Sequence, residues 1–311
     1  MRRTCLDMIY ELAKLDPRVV FIGSDLGVGT LENMKEEMPG RFFMEGVQEQ
    51  HLIGMAAGLA LEGYVPYVNT IATFISRRCF EQVAVDLCLH NLPVRLIGNG
   101  GGLVYAPLGP THLAIEDLGI LRTLPNMTIV APTDANEMKR LMPETLNLPG
   151  PMYIRLGKGG DPIVSRDSDG FSVGKGIQLR KGADAVIFAN GVMVKRGLEA
   201  AELLAADGFE CTVMNLHTIK PLDTGVIVEL ARKIPVFISI EEHVLNGGLG
   251  SAIGEVIIDE FPERMAGFKR LGLPDSFPNR YGSQDSLLEY YGLQPEQIAN
   301  TVREKFAKIC T

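Results

Sequence analysis

The chain has 311 residues, 46% hydrophobic and 22% charged, ordinary proportions for a globular protein whose length suits two domains. A net charge of −8 without a basic run argues against nucleic acid and anionic membranes as partners. No stretch is apolar and long enough to span a bilayer, and the start, Met1-Arg2-Arg3-Thr4-Cys5-Leu6-Asp7, lacks the apolar core of a signal peptide, so a cytoplasmic location is expected.

Residues 3–16 read as an amphipathic helix, and the apolar run Val19-Val20-Phe21-Ile22-Gly23 follows, closed by Ser24-Asp25. Such runs, ending in small or polar residues, suit parallel strands buried on both faces. The pattern recurs at 65–72, 94–99, 127–131 and 152–156, with helical segments at 47–62, 74–90, 114–123 and 134–146 between. Asp134 with Glu137 is the expected cap of the last of these. A polar passage beginning at Gly157 has no long helical period. Strands at 184–189, 211–216 and 236–240 then alternate with helices at 194–206, 223–232, about 249–260 and 295–308. The alternation predicts an α/β protein of two consecutive doubly wound domains with mainly parallel sheets, residues 1–165 and 183–311, joined by a linker at 166–182.

The five cysteines (Cys5, Cys79, Cys88, Cys211, Cys310) never form a C-x-x-C pair, and the five histidines show neither H-x-x-H nor H-x-x-x-H spacing. Neither a disulfide framework nor a protein-only metal site is expected.

Ligands of open parallel sheets bind beyond the carboxyl ends of the strands. That rule selects Asp25, the stretch Asn69–Phe74, the loop Asn99–His112 and Arg155. A loop ending in Gly46 also feeds a helix opened by Glu49 and continued by Gly54, Ala56, Ala57, Gly58 and Ala60. Small residues on a helix allow another element to approach closely. A carboxylate opening such a helix either answers the helix dipole or, if buried, must be paired, protonated or used. The glycine-rich loop Gly98–His112 lacks the G-x-x-x-x-G-K-[ST] pattern of a phosphate cradle. Gly247-Gly248-Leu249-Gly250 has the wrong spacing for dinucleotide binding, and Glu241-Glu242 upstream would repel a pyrophosphate. It reads as a tight turn into a closely packed helix.

Gly46-Val47-Gln48-Glu49-Gln50, then Thr73-Phe74, then Gly109-Pro110-Thr111-His112 resembles the pyrimidine-binding domain of transketolase-like thiamine diphosphate enzymes. Thr218-Ile219-Lys220-Pro221-Leu222-Asp223 and Glu241-Glu242-His243 with Gly247-Gly248-Leu249-Gly250-Ser251 resemble that family's C-terminal domain. Members that carry everything on one chain have a preceding diphosphate-binding domain with a Gly-Asp-Gly motif. This chain has no such motif and starts at the pyrimidine domain, so it resembles the smaller subunit of a split transketolase. The resemblance implies transfer of a two-carbon ketol unit from a ketose to an aldose, a separate N-terminal partner subunit holding Mg²⁺ and the diphosphate, and a two-plus-two heterotetramer.

The resemblance also implies roles for single residues. Glu49 shares a proton with the aminopyrimidine, which requires a carboxyl in dry surroundings able to hold or donate it. Phe74 stacks on the pyrimidine. Asp25 is a loop residue near the cofactor, and His112 faces the substrate's hydroxyl and carbonyl. Arg155, and less directly Arg3, bind a substrate phosphate. Three positions depart from the common transketolase pattern: Leu108 replaces an Asp, Asn99 or Gly100 a phosphate-binding His, and Ile71 an aromatic residue. An unusual, branched or unphosphorylated sugar is therefore expected. The other readings are a 1-deoxyxylulose-5-phosphate synthase-like subunit, a 2-oxoacid dehydrogenase β-like subunit, against which Gly-Pro-Thr-His argues, and a non-catalytic subunit that stabilises a partner.

Overall fold

The computed structural model describes residues 1–24, 30–157 and 159–310. Its strands are Val19–Gly23 (β1), Phe42–Met44 (β2), Val65–Ile71 (β3), Arg95–Asn99 (β4), Thr128–Val130 (β5), Met152–Leu156 (β6), Ile177–Arg180 (β7), Ala185–Ala189 (β8), Cys211–Asn215 (β9), Thr218–Lys220 (β10), Val236–Val244 (β11) and Phe268–Leu273 (β12). Among the described residues they form two sheets, in the orders β10-β5-β6-β4-β3-β1-β2 and β12-β11-β8-β9-β7. Every neighbouring pair is parallel except β10 with β5 and β7 with β9. The protein is thus two α/β domains with mainly parallel sheets, as the alternation of apolar runs predicts.

The apolar runs form the interior strands because each is covered on both faces. In the first sheet, helix Glu49–Leu61 packs Leu52, Ile53 and Ala56 against Ile22, Val68 and Leu96. Helices Arg2–Leu15 and Ala135–Thr145 pack Ile9, Leu12, Met138 and Met142 on the other face, against Phe21, Tyr67 and Ile154. In the second sheet, Met193–Ala206 and Pro295–Cys310 cover one face, and Thr224–Lys233 and Leu249–Glu260 the other. The strands that sequence periodicity does not reveal, β2, β7, β10 and β12, all lie at sheet edges. An edge strand keeps one side open to solvent and needs no continuous apolar run, as Lys269 and Arg270 within β12 illustrate. β7 lies within the stretch expected as a linker, and β10 carries the chain from the second sheet back to the edge of the first.

Two helices differ from expectation. The segment read as one helix over 74–90 is π-helical at Phe74–Arg78 and Val83–Leu89, with a short α-helical turn at Phe80–Gln82. The helix expected at 114–123 is confined to Asp117–Arg122. Cys5, Cys79, Cys88 and Cys211 are buried and unpaired, and burial pushes the Cys5, Cys79 and Cys211 thiols up to about 12.

Asp134 caps its helix as expected, accepting the Asn136 and Glu137 N–H groups at 2.9 Å. Glu137 instead turns inward and ties the two domains together. Its carboxylate accepts the Thr133 N–H at 2.6 Å and the Asn215 Nδ2 at 2.7 Å from β9. Burial pushes this carboxyl up to about 7, against the Thr133 N–H, which favours the anion. With its folded pKa raised, Glu137 contributes stability in full below about pH 4.5 and loses it as pH rises through about 7. Glu137→Gln is expected to remove that slope, so the variant should gain about 3 kcal/mol relative to wild type between about pH 4.5 and 8. Denaturant unfolding of both proteins across this range measures it, and a stability difference that does not change with pH would contradict the assignment.

Candidate active site

The first domain's switch point lies between β1 and β3. From β1 the chain passes to β2 on one side, while β3 leads on to β4 on the other, which opens a crevice at the strands' carboxyl ends. After β2, Gly46 turns the chain with φ +79°, a conformation that other residues adopt only with strain, and Gln48 Nε2 braces the turn by donating to the Glu45 carbonyl at 2.6 Å. The helix then opens with Glu49 inside the crevice, 1% exposed. Glu49 Oε1 accepts the Thr70 hydroxyl of β3 at 3.2 Å. Thr70 in turn accepts the hydroxyl of Ser24, just beyond β1, at 2.7 Å. Glu49 Oε2 accepts Arg78 Nη1 at 2.6 Å.

Phe74 begins the π-helical turn that follows β3, and it is half-buried. The Arg78 guanidinium carbon lies 4.6 Å from its ring centroid. The His112 ring meets the Phe74 ring edge-to-face at 5.3 Å, with Nδ1 2.9 Å from the Thr111 hydroxyl. Arg77 fastens the loop that carries His112 to the turn that carries Phe74. Its guanidinium donates to the Leu113 carbonyl and to Glu116 Oε2, each at 2.8 Å, and to the Pro110 carbonyl at 3.4 Å, with Nε also on Glu116. Glu49, Phe74 and His112, far apart in sequence, therefore share one crevice. Arg78, Arg77 and Glu116 belong to it as well. The basic pair Arg77-Arg78 close after a strand end was the one sequence signal for the arginines.

The other expected residues stand elsewhere. Asp25 lies outside the described residues. Arg3 is 93% exposed on the first helix and pairs only loosely with Asp7, at 3.7 Å. Arg155 is buried, with Nε on Asp117 Oδ2 at 2.9 Å and Nη2 on the carbonyls of Ala114 and Glu242 at 2.8 and 2.9 Å. Burial works against its charge, but Asp117 and then Glu242 hold its pKa above the usual value. The Tyr153 hydroxyl adds a further link by donating to Asp117 Oδ2 at 2.7 Å. The glycines of the 100–102 loop serve this packing: a side-chain carbon at Gly101 would lie 2.4 Å from Arg155 Nε, and one at Gly102 2.4 Å from the Glu242 carboxyl. The Gly247–Gly250 turn is the tight helix entry expected, with Glu241 accepting the Leu249 and Gly250 N–H groups at 2.7 and 2.9 Å.

The crevice suits a flat, nitrogen-bearing ring, with a buried carboxylate for its edge and an aromatic face to lie on. Polar capacity is also left over at the same strand ends, since Thr73 Oγ1 and Asn99 Oδ1 are buried without a hydrogen-bond partner among the described residues.

The sequence matches two families in succession, "Transketolase, pyrimidine binding domain" over residues 1–160 and "Transketolase, C-terminal domain" over residues 174–298. It is 35% identical over 305 residues to the 6-deoxy-6-sulfo-D-fructose transketolase subunit SqwH of Clostridium sp. (strain MSTE9), covering 98% of this chain and 94% of that protein. It is 38% identical to the 1-deoxy-D-xylulose-5-phosphate synthase of Caldanaerobacter subterraneus subsp. tengcongensis over 97% of this chain, yet it spans only 48% of that enzyme. Among solved structures, a split gene transketolase in the form of an inactive beta4 tetramer matches with a TM-score of 0.90 at 34% identity, over 98% of each chain. A transketolase from Pichia stipitis shares the fold with a TM-score of 0.76 at 20% identity, covering 98% of this chain and 45% of that one.

Proposed function

The chain belongs to the transketolase family, and we propose that it is the pyrimidine-binding subunit of a split transketolase, moving a two-carbon ketol unit from a ketose to an aldose only together with a diphosphate-binding subunit. The observation that carries this reading is Glu49, a carboxylate 1% exposed and set beside the half-buried Phe74 at the switch point. The family is thiamine diphosphate-dependent, and the cofactor when bound supplies the carbon that accepts and hands on the two-carbon unit.

This chain's residues do the rest. Glu49 holds the edge of the aminopyrimidine and moves a proton at the ring nitrogen, in a crevice that excludes water. Phe74 lies against the ring face. His112, placed edge-on to Phe74 and held there by Arg77, gives or takes a proton at the substrate's hydroxyl and carbonyl. Arg155 is read as a structural residue, because its Nε and Nη2 donate to Asp117 and two carbonyls inside the protein. Leu108 is 52% exposed on the His112 loop, where transketolases commonly carry an Asp, which favours a sugar outside the usual phosphorylated set.

Mg²⁺ and the diphosphate fall to the partner subunit. The outer side of helix Glu49–Leu61 supports self-association. Side-chain carbons at Gly54 and Gly58 would meet no atom within 4 Å, and Val47 and Leu61 flank them at 71% and 68% exposure. A helix this apolar on both sides is expected to be covered in the assembly, and a second copy gives a two-plus-two heterotetramer. The near full-length similarity to one split subunit and to another found as a tetramer supports it. No helix among the described residues is long and apolar enough to cross a membrane. The free, buried Cys5, Cys79, Cys88 and Cys211 favour a reducing compartment such as the cytoplasm.

The test is co-expression with a diphosphate-binding transketolase subunit from the same organism, then assay with thiamine diphosphate, Mg²⁺ and a panel of ketoses and pyruvate. Ketol transfer requiring both subunits is expected. Turnover by this chain alone, or action on pyruvate and no ketose donor, would overturn the reading.

A further inference from the structure

We propose that Arg78 stands in for the aminopyrimidine in the cofactor-free chain, so that cofactor entry exchanges a guanidinium for a pyrimidine at Glu49. The inference rests on the cofactor reading above and adds to it a residue that competes with the cofactor.

The cofactor would use a carboxylate edge and an aromatic face, and one side chain now engages both. Arg78 Nη1 donates to Glu49 Oε2 at 2.6 Å, and its guanidinium carbon stands 4.6 Å from the Phe74 centroid. A guanidinium resembles an aminopyrimidine in what these two groups recognise: it is planar and delocalised, presents N–H donors along an edge, and stacks on aromatic rings. Two such groups cannot share one carboxylate oxygen and one ring face. The helical turn after β3 places residue 78 on the same face as residue 74, four positions earlier, which lets the two side chains meet.

Arg78 is also built to leave. Arg77 is fixed by Glu116 and two loop carbonyls, and Arg155 by Asp117 and two carbonyls. Among the described residues Arg78 has one hydrogen-bonding partner and one ring, and its side chain is 43% exposed. Glu49 cannot be left alone so easily. Without Arg78 its carboxylate keeps, among the described residues, only the Thr70 hydroxyl at 3.2 Å, and a buried charge with so little compensation is costly. Arg78 therefore keeps Glu49 neutralised until the pyrimidine arrives, at the expense of cofactor affinity.

The test is calorimetric titration of thiamine diphosphate with Mg²⁺ into the cofactor-stripped complex of this chain and its diphosphate-binding partner. Wild type, Arg78→Met and Arg78→Lys are compared, each also in a Glu49→Gln background, with thermal unfolding of every cofactor-free form. Arg78→Met should unfold at a lower temperature when cofactor-free yet bind the cofactor about tenfold more tightly, a typical coupling between two competing occupants. Arg78→Lys, which keeps the charge but not the planar face, should bind the cofactor more tightly than wild type but less tightly than Arg78→Met, and so also serves if the Met variant folds poorly. In the Glu49→Gln background the gain should vanish. Unchanged binding by Arg78→Met would overturn the proposal, and weaker binding would overturn it and make Arg78 an ordinary ligand-binding residue. A gain that persists without the Glu49 carboxylate would overturn it too. Failure of the wild-type complex to bind the cofactor would instead sink the functional reading itself, and is recognisable without any Arg78 variant.

Discussion

Glu49→Gln is expected to lower turnover of the assembled enzyme by roughly 10²–10⁴, the usual loss when a general acid–base group is removed. The amide keeps the size of the side chain and can still accept from the Thr70 hydroxyl or from Arg78, so the helix entry and the crevice should survive. What it cannot do is exchange a proton with the aminopyrimidine. Cofactor affinity should change far less than turnover. Steady-state kinetics of the co-expressed complex, beside a titration of the cofactor, separate the two effects. His112→Ala should slow turnover as well, but only through steps that involve the substrate, because its ring meets Phe74 from the side and its Nδ1 pairs with the Thr111 hydroxyl, whereas Glu49 bonds Thr70 and Arg78. Near-normal turnover in Glu49→Gln would reduce Glu49 to a carboxylate that opens a helix.

Asp117→Ala should produce the largest loss of stability, about 3–5 kcal/mol, because it leaves the Arg155 charge buried without its partner. Asp117 is 0% exposed, and its Oδ2 receives both Arg155 Nε and the Tyr153 hydroxyl. The same arginine bonds the carbonyl of Glu242 in β11, so the damage should reach the contact between the two domains. Denaturant unfolding of the purified chain measures it. Arg155→Met offers the sharper contrast. If Arg155 were the substrate-phosphate residue that family resemblance implies, its loss would raise KM with little change in stability. A marked fall in the unfolding midpoint with KM unchanged for the assembled enzyme is expected instead.

Arg155 also shows where the sequence stops being legible. The strand-end rule placed it correctly at the end of β6, but nothing in the local pattern shows that Asp117, 38 positions earlier, reaches it in the fold. Burial and charge pairing between distant segments carry no periodicity. The interior strands were readable because coverage on both faces forces a continuous apolar run, and the edge strands β2, β7, β10 and β12 were not, because solvent on one side relaxes that demand. The candidate site was proposed from residues whose chemistry is unusual for their setting. Glu49 is a carboxylate on an otherwise apolar helix, and Phe74 and His112 sit at strand ends and in long loops. Arg78 was hidden, since an exposed arginine beside another arginine looks like an ordinary solvated face until its pairing with Glu49, 29 positions away, is seen.

The most direct measurement on the central claim is hydrogen–deuterium exchange at the thiazolium C2 of thiamine diphosphate in the assembled enzyme without substrate, since it reports whether Glu49 activates the cofactor before any sugar is involved. Fast exchange is expected in wild type and in His112→Ala, and slow exchange in Glu49→Gln. Exchange as fast in Glu49→Gln as in wild type would contradict the role assigned to Glu49 and, with it, this chain's part in the catalytic site.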